Sequence, residues 1–244
     1  SCLFSAVLIV ASAICSAPCA QSQEYRFGVP KAKMLVVVRP KAAVHITYDF
    51  TFQNAPNGHV IDVVDIGVPH AGYDLGNVRA WLNDSPLGDI RVSQYVKPGF
   101  EVHLGAKAIL PGRSGRFRVT FEIPDMVFQD TTRADYASLR ITPTWFGEQY
   151  VLGRTHLQVA IQLPKTVRPD EVLHQGVEFS KKAKSDQGAL VGWDFPTTRL
   201  TGPHPVAVSF PKRDMQRVIH RTAFDLLVKW FQESPRARFV LGSV

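Results

Sequence analysis

Cysteine is missing from everything after residue 19: Cys2, Cys15 and Cys19 are the only three in a chain of 244 residues. The body therefore has no internal disulfide, which excludes a small disulfide-framed secreted module. A chain of this length buries a core large enough to fold without such staples, so their absence is compatible with export. Ionisable side chains are missing at the other extreme, since residues 1–20 hold no Asp, Glu, Lys or Arg and the whole formal charge of +7 falls on residues 21–244. No apolar run is long enough to cross a bilayer; Leu3 to Ala11 is too short, and Phe239 to Val244 is six residues.

Catalytic signatures are missing as well. There is no HExxH, no HxH and no phosphate-loop spacing, and Gly112-Arg113-Ser114-Gly115-Arg116 departs from the nucleophile elbow at its last position. The eight histidines are scattered, and His45, His103 and His156 fall on the polar phase of strand patterns. The sequence thus supports no zinc site, no cofactor and no catalytic residue.

What is present at the N-terminus, an uncharged apolar stretch closing in Cys15-Ser16-Ala17-Pro18-Cys19-Ala20, resembles an export signal whose basic beginning is trimmed. Residues 1–20 are expected to be a signal peptide cleaved after Ala17 or Ala20. A lipid anchor on Cys19 and a buried first element are the alternatives.

Residues 21–211 read as strands. Val44, Ile46, Tyr48, Phe50 and Phe52 alternate with His45, Thr47, Asp49, Thr51 and Gln53, the period-two pattern of a strand with one dry and one wet face. Lys33 to Arg39 precedes it across a Pro40-Lys41-Ala42 turn, which predicts a hairpin. The same alternation recurs at Phe100 to Leu104, Phe117 to Ile123, Leu157 to Leu163, Val191 to Phe195 and Val206 to Phe210, with Pro and Gly between. The apolar phase changes between Val63 and Val64, where a bulge is expected. Residues 163–172 are the most linker-like interior stretch, but one domain is preferred. The expected fold class is all-β: an antiparallel Greek-key β-sandwich, immunoglobulin-like, followed by one C-terminal amphipathic α-helix.

That helix is expected over 212–234. Met215, Val218, Ile219, Phe224, Leu227, Trp230 and Phe231 follow a three-and-four spacing, with Asp214 in the first turn and Pro235 as the stop. From Lys212 to Arg238 seven basic residues face three acidic ones. No RNA- or DNA-binding signature accompanies them, so nucleic acid is not an expected partner. The helix either packs on the sandwich or lies at a lipid surface, with Arg217, Arg221, Lys229, Trp230, Phe231, Arg236 and Arg238 as its membrane-proximal residues. Residues 235–244 are then the start of a transmembrane segment. Arg236 and Arg238 on the outer side run against the usual charge bias.

Four groups are candidates for chemistry. Asn54, Asn57, His59, Asp62 and Asp65, and separately Asp125, Asp130 and Asp135, offer oxygen ligands for calcium, but without the dense alternation of a calcium loop; turn acids and amides are the plainer reading. Glu122 and Asp125 are a possible pair for glycoside hydrolysis, which needs a defined separation across a cleft. Tyr136, Arg140, Trp145, Phe146 and Tyr150 cluster around a Thr-Pro-Thr turn, and aromatics on a loop beside a cation grip sugars, peptides or a partner chain. The plainer alternative is that these rings close one end of the core.

The order YDFTFQN, VIDVVDIGVP, DYASLRITPTWF and FDLLVKWF resembles the outer, extracytoplasmic β domain of bacterial membrane-anchored proteins of unknown function. The resemblance implies an exported β domain ahead of one or more transmembrane helices, and it brings no catalytic residues to carry over. The expected function is a non-enzymatic binding or interaction domain at the extracytoplasmic face of the cell membrane, with lipid, the adjoining span, and an envelope protein or glycan as partners. Two alternatives are an envelope carbohydrate-active hydrolase, favoured by two carboxylates facing each other in a concave cleft, and a soluble periplasmic ligand carrier. A smooth sandwich with Tyr136 and Trp145 buried favours the first reading. The reading frame beyond Val244 tests the anchor: about 18–20 further apolar residues are expected, and an early stop or a polar continuation removes it.

Overall fold

A computed structural model describes residues 24–220. The chain opens with the expected hairpin, β1 (Phe27–Val38) and β2 (Val44–Asn54), turned at Pro40 to Ala42, where Ala42 has φ 62°. Then come β3 (Val63–Gly67), β4 (Arg79–Leu82), β5 (Ser85–Leu87), β6 (Ile90–Val92), β7 (Gly99–His103) and β8 (Ser114–Ile123). The second half holds β9 (Phe128–Gln129), β10 (Tyr136–Ile141), β11 (Val151–Leu152), β12 (Thr155–Gln162), β13 (Leu173–His174), β14 (Lys181–Ser185), β15 (Gly188–Thr198) and β16 (Val206–Pro211). Among the described residues the helical pieces are four short 3₁₀ turns, so the protein is β-sheet almost throughout.

The strands form one long sheet in the order β14-β15-β12-β1-β2-β8-β4-β5, with β11 also against β1, and two smaller sheets, β13-β16-β10-β9 and β3-β7-β6. Register explains why the long sheet has one dry face. Trp193, Val159, Met34, Tyr48, Val119 and Ala80 lie opposite one another across six neighbouring strands, and all six are buried. One residue along, Asp194, Gln158, Lys33, Asp49, Arg118 and Trp81 form the matching row on the other face. Alternation at period two puts each row on its own side, and a slip of one residue would exchange them.

The smaller sheets cover the dry face. Phe100 of β7 meets Phe121 of β8 edge to face with centroids 5.2 Å apart, and the buried side chains of all three sheets form one contiguous core. β16 is buried at all six positions, which no wet-faced strand shows. The wet face of the long sheet is laced instead by ions: Asp49 accepts from Arg116 Nε at 2.9 Å and lies 3.6 Å from Arg118. The outermost strand β14 carries Lys181, Lys182 and Lys184, and lysines on an edge discourage further strands from adding.

The structure departs from the sequence reading in four places. The sheet is not wholly antiparallel, because β1 runs parallel to β12 over seven paired positions, from Lys31 with His156 to Val37 with Gln162. The phase change near Val63 is not a bulge: Ile61 bridges to Ile109 while β3 begins afresh on β7, so two partners divide the segment. Tyr136 to Ile141, read as loop, is strand β10, paired along its whole length with β16. Finally, no α-helix begins at Lys212. A single 3₁₀ turn, Lys212–Asp214, is followed by backbone amides committed elsewhere: Gln216 and Arg217 donate to Pro40 O at 2.9 and 3.2 Å, and Ile219 donates to Val127 O at 2.9 Å. An amide that serves a distant carbonyl, here in the β1–β2 turn or just before β9, cannot also close a helical turn. The rest of the expected helix, with Arg221, Lys229, Trp230, Phe231, Arg236 and Arg238, lies outside the described residues, as does the expected signal peptide.

One buried acid ties the second half together. Asp130 accepts from Ser209 Oγ at 2.6 Å, from the amides of Thr132 and Arg133 at 2.8 and 3.0 Å, and from Thr132 Oγ1 at 2.8 Å. Burial pushes its carboxyl up, but these bonds outweigh burial and hold the pKa below the usual aspartate range. Stability from such a group is present above the unfolded pKa and is lost as pH falls through the folded one. Asp130→Ala is therefore expected to cost about 1–3 kcal/mol at neutral pH, because it strands buried donors. Urea unfolding across the acid range should show the wild type losing its advantage over the variant as pH falls; a difference that stays constant with pH would refute this role for the acid.

Candidate functional site

Among the described residues no strand pairs the two smaller sheets with each other, and between them lies a cleft of about 610 Å³. Its floor is the dry face of the long sheet, represented by Ile46 and Tyr48 of β2 and Phe121 of β8. Asp65 and Gly67 of β3 with Val96, Lys97 and Pro98 line one side; Arg140 and Ile141 of β10 with Thr142, Thr144 and Trp145 line the other. A volume of this size, an apolar floor and a few polar groups are the ordinary attributes of a small-molecule site.

Tyr48 is the deepest polar group. Its ring stacks on Phe50 with centroids 5.2 Å apart and planes 19° from parallel, and leans on Phe121 at 6.0 Å. Its hydroxyl oxygen accepts the Thr144 amide at 3.1 Å, which fastens the segment after β10 to the floor. The phenol's own proton has no acceptor among the described residues. Burial pushes its pKa well above the usual tyrosine value, against the Thr144 bond, so the group is a neutral donor.

Lys97 and Arg140, one from each side, have no ion-pair or hydrogen-bond partner among the described residues, and both are exposed. Trp145 beside Arg140 is 48% exposed. Among the described residues the single acid in the lining is Asp65, whose carboxylate accepts from Ser93 Oγ at 2.5 Å. Burial raises the Asp65 pKa, the Ser93 bond opposes this, and Glu101 opposite it on β7 raises it further. Glu101 is in turn held below its usual range, foremost by His103, whose Nε2 lies 2.8 Å from its carboxylate. Ser93 also accepts the amides of Tyr95 and Val96 at 3.1 and 2.9 Å, so the acid pair anchors the turn that presents Lys97.

Of the five aromatic and cationic candidates, the cleft gathers Arg140 and Trp145. Phe146 points the other way, with Phe27, Phe50 and Phe52 around it at centroid distances of 5.6, 5.8 and 5.6 Å, and closes the core. Tyr150 lies edge-on to Tyr25 at 6.3 Å, and its carbonyl accepts the Phe27 amide. Tyr136 sits four residues before Arg140 on β10, about 13 Å away along a strand, under the Arg133 guanidinium at 5.0 Å. Lys97 and the Tyr48 hydroxyl escape the sequence reading, which groups Asp65 with calcium ligands instead. Tyr48 is marked in the sequence only as dry-face, and nothing local joins Lys97 to Arg140.

The other candidates disperse. Asn54 is buried and donates to the carbonyls of His59 and Ile109, Asp62 accepts from the Tyr25 hydroxyl at 2.7 Å, and Asp125 pairs with Arg217 at 3.1 Å. Arg217, expected to face lipid, thus has a protein partner. Asp130 is buried rather than a solvated turn acid. Among the described residues no three His, Cys, Asp or Glu side chains converge as metal ligands. Glu122 lies on the wet face of β8, and the cleft has one carboxylate in its lining rather than two.

No protein-family model matches the chain, and no curated protein does. Among solved structures, the M1 zinc metallopeptidase from Deinococcus radiodurans is similar at a TM-score of 0.45 and 12% identity over 78% of this chain, and a mutant of that enzyme bound to a Tyr-Ser-Ala substrate gives 0.45 and 13%. The match spans 43% of the peptidase chain. Likeness of this degree establishes neither a fold family nor an activity for this chain.

Proposed function

We propose that the chain is a non-enzymatic, extracytoplasmic binding domain of a membrane-anchored cell-envelope protein, and that it takes its ligand in the cleft between Lys97 and Arg140. The observation that carries the reading is two cations, without a partner among the described residues, flanking a mostly apolar cleft with a half-exposed Trp145 at its side. Cations and an aromatic ring hold a ligand, whereas acid or base catalysis needs a titrating group aimed at a reacting atom, and the one acid of the lining is tied to Ser93. Neither of the two features that would separate this reading from a hydrolase is present among the described residues: Trp145 is 48% exposed and Tyr136 half-buried rather than both sealed, and the cleft lining holds one carboxylate rather than two facing each other. The same proposal takes the layered sheets as an immunoglobulin-like Greek-key sandwich, for which the antiparallel run β1-β2-β8-β4 is the support. Export and anchoring rest on the uncharged apolar character of residues 1–20, on the basic residues from Arg221 onward and on the apolar Phe239 to Val244, whereas Lys212, Arg213 and Arg217 are engaged by Gln129, Glu171 and Asp125.

Site-specific photocrosslinking tests it. With a benzophenone amino acid in place of Trp145, in the full chain with its natural continuation expressed in its own cell, ultraviolet light is expected to yield a discrete adduct in the membrane fraction. The adduct should be lost with Arg140→Ala and not be formed from the exposed Leu110. Adducts no stronger at 145 than at 110 would remove the cleft as the binding site.

A further inference from the structure

We infer that the ligand of this cleft is an anionic amphiphile: a compact apolar body carrying one carboxylate or comparable singly charged anionic head. The inference rests on the cleft being the binding site and adds the class of molecule it takes.

The charges argue for the head. Arg140 of β10 and Lys97 of the turn before β7 line opposite sides of one cleft, and neither is neutralised by an acid among the described residues. Two unpaired cations on one cleft repel each other until an anion enters, and a guanidinium offers a carboxylate two parallel donors. The Tyr48 hydroxyl supplies a third donor from below, because its oxygen is taken by Thr144 and its proton is not. Asp65 accepts from Ser93, a bond that favours its charged form, and it lies on the Lys97 side of the cleft, so an anionic head is better placed toward Arg140. Two cations match one small anionic group; a polyanion such as nucleic acid would require a longer basic track.

The lining argues for the body. Ile46, Val68, Phe121, Met126 and Trp145 present apolar surface within the cleft, and Met126 is the side chain best able to adapt to an irregular shape. A sugar would leave most of that surface facing hydroxyl groups. An inorganic anion would leave it empty. A molecule with an apolar body and one charged end satisfies both parts at once, and burial of its apolar portion contributes roughly 25 cal/mol per Å².

The test uses the full chain and a fluorescent probe of this class, anilinonaphthalene sulfonate, displaced in turn by decanoate and by decanol, which share an alkyl chain and differ in charge. Decanoate is expected to displace the probe at concentrations at least about tenfold lower than decanol, a difference of about 1.4 kcal/mol. Arg140→Ala and Lys97→Ala, both at exposed positions, should each erase most of that preference while leaving probe displacement by decanol in place, and Trp145→Ala should weaken both. Equal displacement by decanol and decanoate in the wild type would overturn the inference and leave the cleft standing as a binding site for neutral molecules. Probe binding unchanged by Trp145→Ala and by Arg140→Ala would overturn the cleft itself, and the inference with it.

Discussion

A single hydrogen bond between residues 96 positions apart joins fold to site: the Tyr48 hydroxyl accepting the Thr144 amide. Tyr48 belongs to the dry face of the long sheet, where its ring is fixed by Phe50 and Phe121. Thr144 belongs to the segment leaving β10, with Trp145 next to it and the Phe146 ring beyond, driven into Phe27, Phe50 and Phe52. The segment is therefore held at two points, at Thr144 by the Tyr48 phenol and at Phe146 both by its ring in the core and by its amide, which donates to Leu200 O at 3.0 Å. Between those two points Trp145 turns outward, which is how a half-exposed indole comes to stand over a core strand.

The gap that becomes the cleft arises from the strand count. The long sheet is wider than either smaller sheet, so two of them are needed to cover its dry face, and among the described residues no strand pairs one with the other. Sheets packed on a common floor without a shared edge leave a furrow, and here the furrow is lined by the residues each sheet presents at that border. On one side that is the Val96 to Pro98 turn, pinned through Ser93 to Asp65; on the other it is the end of β10. The acid pair Asp65 and Glu101 is thus a structural device that positions Lys97, and the two cations owe their availability to having been left out of every ion pair among the described residues.

How much of this was legible can be judged residue by residue. The dry face of β2 and β8 was fully legible, because Ile46, Tyr48 and Phe50 alternate with polar residues, as do Phe117, Val119 and Phe121, and one-sided burial demands that pattern. The β10 segment has the same alternation, with Ala137, Leu139 and Ile141 dry and Tyr136, Ser138 and Arg140 wet, but it is only six residues long and runs straight into Thr-Pro-Thr, whose turn chemistry outweighs so short a period. Residues 212–220 misled in the opposite sense: Met215, Val218 and Ile219 have helical spacing, yet all three are partly buried against the core from an extended segment whose amides serve Pro40 and Val127. Local period is a weak prior where distant carbonyls offer hydrogen bonds. At the site, Arg140 and Trp145 were found because they are close in sequence and chemically conspicuous. Lys97 was not, because its place opposite Arg140 is a property of two sheets and of no local pattern.

The account stands on the Thr144 strap being clamped to the sheet beneath it, and amide hydrogen exchange at Thr144 reads that clamp directly. The Thr144 amide is expected to exchange slowly in the wild type, close to its neighbours in β10, and to lose most of that protection in Tyr48→Phe while the amides of β2 and β8 keep theirs. Exchange of the wild-type Thr144 amide as fast as that of an exposed turn would contradict the clamp, and with it the cleft that the clamp shapes.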